Sequence, residues 1–238
     1  PRILVIPFDP YLYFSDADEE IAQGSNLPRP EVRHYFRRRL NVLLTPPGYD
    51  AIHLLGGTTK DSLADLDRIY KSVRYNYQDI LNAEAGGIEV NKPEATAEQP
   101  TGSEKVRAWW EQQRQAQPTV RDRQARREAF GEGRYFGVSV RDPAFFDYFE
   151  RKYDVEYYLF INQFEVKTDY ENCLDRAAND YERHFLVHFS VFDAEGKQVA
   201  GNKVKVYYHS SADRIQRILA DNMPPMADAI IRAVPAPN

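Results

Sequence analysis

The sequence predicts an α/β fold, α+β in its later part: one mixed β-sheet covered by helices, with a late antiparallel hairpin and a helical or flexible insertion. Three observations carry that prediction. Strand-like and helix-like stretches alternate from residue 3 to residue 81. Two runs of strand periodicity flank an Asp-Ala-Glu-Gly-Lys turn at residues 193–197. Between these halves, residues 82–134 lose apolar periodicity and read as an inserted linker and polar helical arm within a single domain of residues 1–238.

Ile3-Leu4-Val5-Ile6-Pro7-Phe8 is a compact apolar run and predicts a buried first strand, with Pro7 near its end because proline cannot donate to a ladder. A polar loop follows, in which Ser15 or Asp16 is suited to cap a short helix. Pro30 fits the first turn of a longer helix, with Val32, Phe36, Leu40 and Leu43 on one stripe and Arg33, Arg37, Arg38 and Arg39 on its flank. Pro46-Pro47-Gly48 stops that helix, and residues 49–55 read as a second strand ended by Gly56-Gly57. Thr58 or Thr59 then caps a helix in which Leu63, Leu66, Tyr70, Val73, Tyr77 and Ile80 recur at helical spacing.

Residues 82–102 shift to Gly, Pro, Ala, Thr and Glu and predict a loop without core contacts. Residues 103–131 read as a polar helix with Trp109 and Trp110 as its large anchors. Residues 135–140 form a short strand, and Asp142-Pro143 opens a helix that turns Phe145, Phe146 and Phe149 inward. Residues 155–166 read as a long strand. Phe185, Val187, Phe189 and Val191 mark an apolar face on the next, and Val204, Val206 and Tyr208 mark one on the return strand. Ser210 or Ser211 is placed to cap the last helix, which Pro224-Pro225 should kink or break.

Composition sets limits on function. The net charge of -5 argues against a general nucleic-acid binder. A single cysteine, Cys173, rules out an intramolecular disulfide. No run of about 20 apolar residues is present, so no transmembrane helix is expected. The chain opens Pro1-Arg2 without an initiator Met, which is compatible with a removed leader or a trimmed chain.

The search for chemistry predicts no catalytic residue, cofactor or metal. Gly56-Gly57 sits between a strand and a helix, the right setting for an anion, but lacks the further glycine and the spaced lysine of a phosphate loop. His184 and His188 share a strand face but stand too far apart to hold one metal, and Cys173 has no neighbouring His. Ser15-Asp16-Ala17-Asp18-Glu19-Glu20 groups acidic oxygens without the spacing of a calcium loop. Paired carboxylates such as Asp61 and Asp65 read as helix-surface charges. The arginines of residues 105–127 interleave with acids and read as a solvated face, with docking onto an acidic partner or anionic head groups as the alternative. The expected partner-binding residues are therefore Ser15, Asp16 and Asp18, in the loop beyond the first strand's carboxyl end, and Trp109 and Trp110 in the insertion.

Three stretches carry a family resemblance. The opening Ile3-Leu4-Val5-Ile6-Pro7-Phe8, the helix from Phe145 to Tyr153 followed by Asp154-Val155-Glu156-Tyr157-Tyr158-Leu159, and the hairpin from Arg183 to Tyr208 with its D-x-x-G-K turn resemble the periplasmic α/β domain shared by the TolB amino-terminal domain and the curli-secretion lipoproteins. The tyrosine-rich style also resembles envelope proteins of the Bacteroidetes. The matching parts cover about half the chain, and residues 82–134 have no counterpart there. The resemblance implies a non-catalytic periplasmic protein of the cell envelope, associated with the outer membrane. Such a protein binds or assembles envelope or secretion components, with a lipid anchor on a removed N-terminus. The alternatives are a small-ligand-binding regulatory module and an enzyme using a cleft beside the insertion.

Overall fold

Ile3, Leu4, Val5 and Ile6 are all buried because their strand, β1 (Arg2–Ile6), runs inside the sheet. It lies between β3 (Asp50–His53) and β7 (Tyr157–Asp175) and is parallel to both. A computed structural model of the chain describes residues 1–55, 60–81, 87–93, 133–175 and 180–237. Trp109, Trp110, the arginine-rich stretch and the Gly56-Gly57 turn with Thr58 and Thr59 lie outside those residues.

Beyond β7 the sheet continues antiparallel through β8 (Asp180–Asp193) and β9 (Gln198–His209), and then parallel to the short strand β5 (Ile88–Val90). With β2 (Tyr13–Ser15), which also pairs with β7, the sheet has seven strands. The predicted mixed α/β architecture is the one the chain adopts. Alternation on β1 sends Ile3 and Val5 to one face, and Leu4 and Ile6 to the other. The first face is covered by α1 (Asp18–Ser25), α2 (Arg29–Leu43) and α5 (Ile215–Ile231), which bury Ile21, Phe36, Met223 and Met226 against Phe164, Phe185 and Val187. The second face packs Leu66 and Ile69 of α3 (Lys60–Ser72), and Phe145 and Phe149 of α4 (Phe145–Tyr153), on Tyr158, Phe160 and Phe192. Each such buried side chain contributes about 1.5–3 kcal/mol of transfer free energy.

The β8–β9 hairpin turns where its composition predicts. Asp193 Oδ1 accepts the Lys197 N–H at 2.8 Å, and Gly196 takes φ 80°, a conformation side chains rarely tolerate. The Phe146 ring fills the space a Cβ at Gly196 would need.

Elsewhere the structure corrects the sequence reading. The helix expected to run to Ile80 ends at Ser72, and Val73–Asp79 forms strand β4, antiparallel to β6 (Arg134–Val140) in a separate two-stranded ribbon. Val73, Tyr75 and Tyr77 fit a period of two as well as Val73 and Tyr77 fit a helix. Seven paired residues and the stacking of Tyr75 on Phe136 (5.9 Å) decide for the strand. The linker expected to lack core contacts contains β5, whose Ile88 and Val90 pack against the main core. Pro224 and Pro225 do not break α5, which runs continuously through them. Met223 and Met226 on either side are fully buried, and the Asn222 side chain donates to the Ile218 carbonyl at 3.0 Å. The first N–H of α5, at Ile215, is capped not by Ser210 or Ser211 but by Ser25 Oγ of α1, at 2.8 Å.

Asp65 is also not a surface charge. It is 2% exposed, and its carboxylate accepts from Lys152 Nζ at 2.7 Å, from the Tyr153 hydroxyl and from the Tyr148 hydroxyl at 3.4 Å. This clasp fixes α4 to α3. Burial, and then the hydrogen bond to Asp65, raise the Tyr153 hydroxyl to about 12. Asp65→Ala removes the buried acceptor of two phenols and the link to Lys152, so it is expected to lower stability by about 2 kcal/mol in urea unfolding monitored by circular dichroism. Asp67→Ala, on the exposed side of the same helix, is expected to change it by less than about 0.5 kcal/mol.

Candidate functional site: the loop after the first strand

The chain leaves β1 at Ile6 and rejoins the same edge of β7 at Tyr13. β1 pairs with Tyr157–Phe160, whereas β2 pairs with Phe164–Val166. Residues 7–12 are therefore an excursion from the sheet edge, set beside an irregularity in β7 pairing between Ile161 and Gln163.

Side chains from three directions hold this excursion. Asp9 Oδ1 accepts the Tyr11 N–H at 3.0 Å and shapes a single 3-10 turn, Pro10–Leu12. Arg37 Nε donates to the Phe8 carbonyl at 2.8 Å, and an Arg33 nitrogen donates to the Pro10 carbonyl at 3.3 Å. The Tyr70 hydroxyl donates to the Pro7 carbonyl at 2.8 Å and accepts from Arg37 at 2.6 Å, so α2, α3 and the loop share one junction. Burial raises the Tyr70 hydroxyl to about 12, with Arg37 opposing the rise, and the group stays a neutral donor. Beneath them Phe8 is buried against Tyr13 and Phe164, with ring centroids 5.9 and 5.2 Å away.

The sequence-predicted residues of this loop turn inward or sideways. Ser15 Oγ accepts the Ala17 N–H at 3.2 Å. Asp16 does not cap the helix; its two oxygens accept from the Thr168 backbone at 2.9 Å and the Thr168 hydroxyl at 3.0 Å. Asp18 is buried and accepts from the Tyr13 hydroxyl at 2.5 Å. Burial first, and the Asp18 charge second, push the Tyr13 hydroxyl far above its ordinary range. The N-cap of α1 is Ala17, with no side-chain cap bond.

Under this layer lies Arg183, which is 1% exposed. It stands in a cross-strand row with Thr168 and Tyr208. Its Nε donates to Thr168 Oγ1 at 2.9 Å, one terminal nitrogen donates to Glu20 at 2.7 Å, and the guanidinium sits 6.0 Å from the Tyr208 ring centroid. Asp16, Thr168, Arg183 and Glu20 form one chain of charge-assisted bonds that pins the loop and the first turn of α1 to the sheet.

What this rigid frame exposes is aromatic. Tyr11 is 89% exposed and Phe14 is 48% exposed. The sequence reading missed both, although two large aromatics in a polar loop were the available signal. It also missed Arg183, whose signal was position: an arginine in register with Phe185, Val187, Phe189 and Val191 falls on the apolar face and must be paired there.

The histidines take separate places. His188 is buried, and its Nδ1 accepts the Phe136 N–H at 2.9 Å, which fixes a neutral ring with that nitrogen unprotonated. Burial, followed by the charges of Lys203 and Lys167, holds His188 down to about 3. Burial, followed by Lys205 and Lys167, holds His184 down to about 4. His209 pairs with Asp180 at 3.3 Å, and His53 contacts Thr45 at 3.2 Å. Among the described residues no three His, Cys, Asp or Glu side chains converge as metal ligands, and no helix is long and apolar enough to cross a membrane. No protein-family model matches the sequence, and no curated protein matches it significantly.

Arg183→Ala is expected to cost about 3 kcal/mol in urea unfolding and to speed amide exchange in residues 16–20, because it removes the buried centre of the chain of bonds. Tyr11→Ala should leave both unchanged. Acid should weaken the fold through the two histidines. Their folded values lie below the ordinary 6.5, so the unfolded chain binds more protons between pH 6.5 and about 3. Their contribution is complete above pH 6.5 and is lost as pH falls through that window. Urea midpoints measured from pH 7 to pH 4 should fall, and His184→Gln should make the fall shallower.

Proposed function

We propose that this chain is a binding domain of the bacterial cell envelope, periplasmic in location, which acts by engaging envelope or secretion components and not by catalysing a reaction. The braced loop after β1 is its contact surface. The observation that carries the reading is the pairing of a fixed backbone with exposed aromatics. Tyr11 projects from a loop whose carbonyls are already committed to Arg33, Arg37 and Tyr70, and Phe14 from the short strand β2 that follows it, beside Asp16 bonded to Thr168. Ordering a loop at the moment of binding costs free energy, and a loop ordered beforehand avoids that cost. Tyrosine and phenylalanine offer large contact area for few lost rotamers. The envelope assignment rests on the resemblance of the opening strand, the 145–159 unit and the terminal hairpin to the TolB and curli-secretion α/β domain.

The test compares the wild type with a Tyr11→Ala/Phe14→Ala variant in cross-linked pull-downs from native envelope extract, read by mass spectrometry. Specific recovery of envelope components by the wild type, reduced at least tenfold in the variant at unchanged melting temperature, is the expected result. Equal recovery by both proteins moves the contact surface elsewhere. Recovery of nothing above a scrambled control sinks the reading.

A further inference from the structure

Helix α2 carries five arginines against one glutamate, a net charge of +4, in a chain whose total is -5. Two of the five are accounted for, because Arg33 and Arg37 hold the loop carbonyls. Arg38 and Arg39 point the other way. Both are exposed, and neither has a hydrogen bond or ion pair among the described residues. They border a groove of about 410 Å³ between α2 and α5, whose apolar surface comes from Tyr35, Val42 and Leu219. Val42 is 60% exposed. His34 also lines the groove, and Glu31 is the one acid on its rim.

We infer that this groove docks an acidic amphipathic helix of a partner protein. Tyr35 and Val42 are seven residues apart, two helical turns, so they lie in line along α2. A partner helix laid beside them meets that line with its own apolar residues at i, i+3 and i+7. Carboxylates on its flanks meet Arg38 and Arg39, whose planar forks bind carboxylate in pairs. The shape favours a helix over a bilayer surface, since the apolar residues lie in a concave groove between two helices and not on a convex ridge. The charge favours an acidic helix over a basic one. This surface is distinct from the aromatic loop, so its partner helix can belong to a second component or to another segment of the same one.

The probes are two fluorescein-labelled synthetic helical peptides with leucines at i, i+3 and i+7, one flanked by glutamates and one by lysines, followed by fluorescence anisotropy. The full chain is expected to bind the glutamate peptide and not the lysine peptide. Arg38→Glu combined with Arg39→Glu should weaken that binding at least tenfold, as should Val42→Asp alone, with circular dichroism and melting temperature unchanged. Raising salt from about 50 to about 300 mM should weaken it several-fold. The Tyr11→Ala/Phe14→Ala variant should bind the peptide as the wild type does, which separates this inference from the proposed function. The inference is overturned by failure of the glutamate peptide to bind, by equal binding of both peptides, or by a charge reversal that leaves affinity unchanged. It is equally overturned if the chain binds vesicles containing one third phosphatidylglycerol in an Arg38- and Arg39-dependent way but not the peptide, or if sedimentation shows a self-dimer that the charge reversal dissolves.

Discussion

Strand β7 is 19 residues long and β1 only five, and most of the loop architecture follows from that mismatch. Unpaired backbone groups along a buried strand are costly, so the edge of β7 beyond Phe160 needs a second partner. The chain supplies it by returning as β2, in the same parallel sense, opposite Phe164–Val166. The intervening residues 7–12 cannot all lie in the sheet, since β7 offers only residues 161–163 opposite them. They are pushed outward at the carboxyl end of β1, where the neighbouring connections diverge: α1 and α2 leave toward one sheet face, and α3, after β3, packs on the other. Such a divergence is where α/β sheets generally carry their recognition loops.

The excursion alone would be an ordinary surface loop. It becomes a fixed one because Arg33, Arg37 and Tyr70 hold its carbonyls and because a buried charge in the sheet pins the segment that follows it. A lone guanidinium at 1% exposure would be strongly destabilising, and Thr168, Glu20 and the Tyr208 ring together offset that. The strand row and the first turn of α1 each take one nitrogen of Arg183, through Thr168 and Glu20. Buried polar chains of this kind contribute less to stability than an apolar replacement often would, and more to uniqueness of structure. Here the unique structure is the position of Tyr11 and Phe14.

Much of the sheet was legible in the sequence because its elements announce themselves by one dominant period. The β8–β9 hairpin has clean alternation and a turn with the right glycine, and the α4 stripe of aromatics has a single solution. Legibility failed where two periods coexist or where partners are distant in the chain. Residues 73–79 satisfy a helix and a strand equally, and only β6, some sixty residues later, selects the strand. Ile88–Val90 is too short for any period to register. The consecutive prolines of α5 are tolerated because burial of the methionines around them outweighs local preference. At the candidate site the acidic residues were visible and their neighbourhood was not. Asp16 and Asp18 read as outward-facing groups, and their actual partners, Thr168 and Tyr13, emerge only once β2 is placed on β7.

The same placement separates two kinds of residue that loops commonly combine. Asp9, Asp16, Asp18, Arg33, Arg37 and Arg183 shape the excursion, and their charges are consumed in doing so. Tyr11 and Phe14 make almost no contribution to that frame and are held out from it. A substitution in the first group changes where the aromatics stand, and one in the second changes only what they touch. Such a division lets contact residues vary without cost to the fold. It also explains why the arginines of α2 fall into two sets, one spent on the loop and one left facing solvent beside an apolar groove. An exposed charge that performs no structural work, next to apolar surface that has no cover, is where a second molecule completes the packing that the chain itself leaves open.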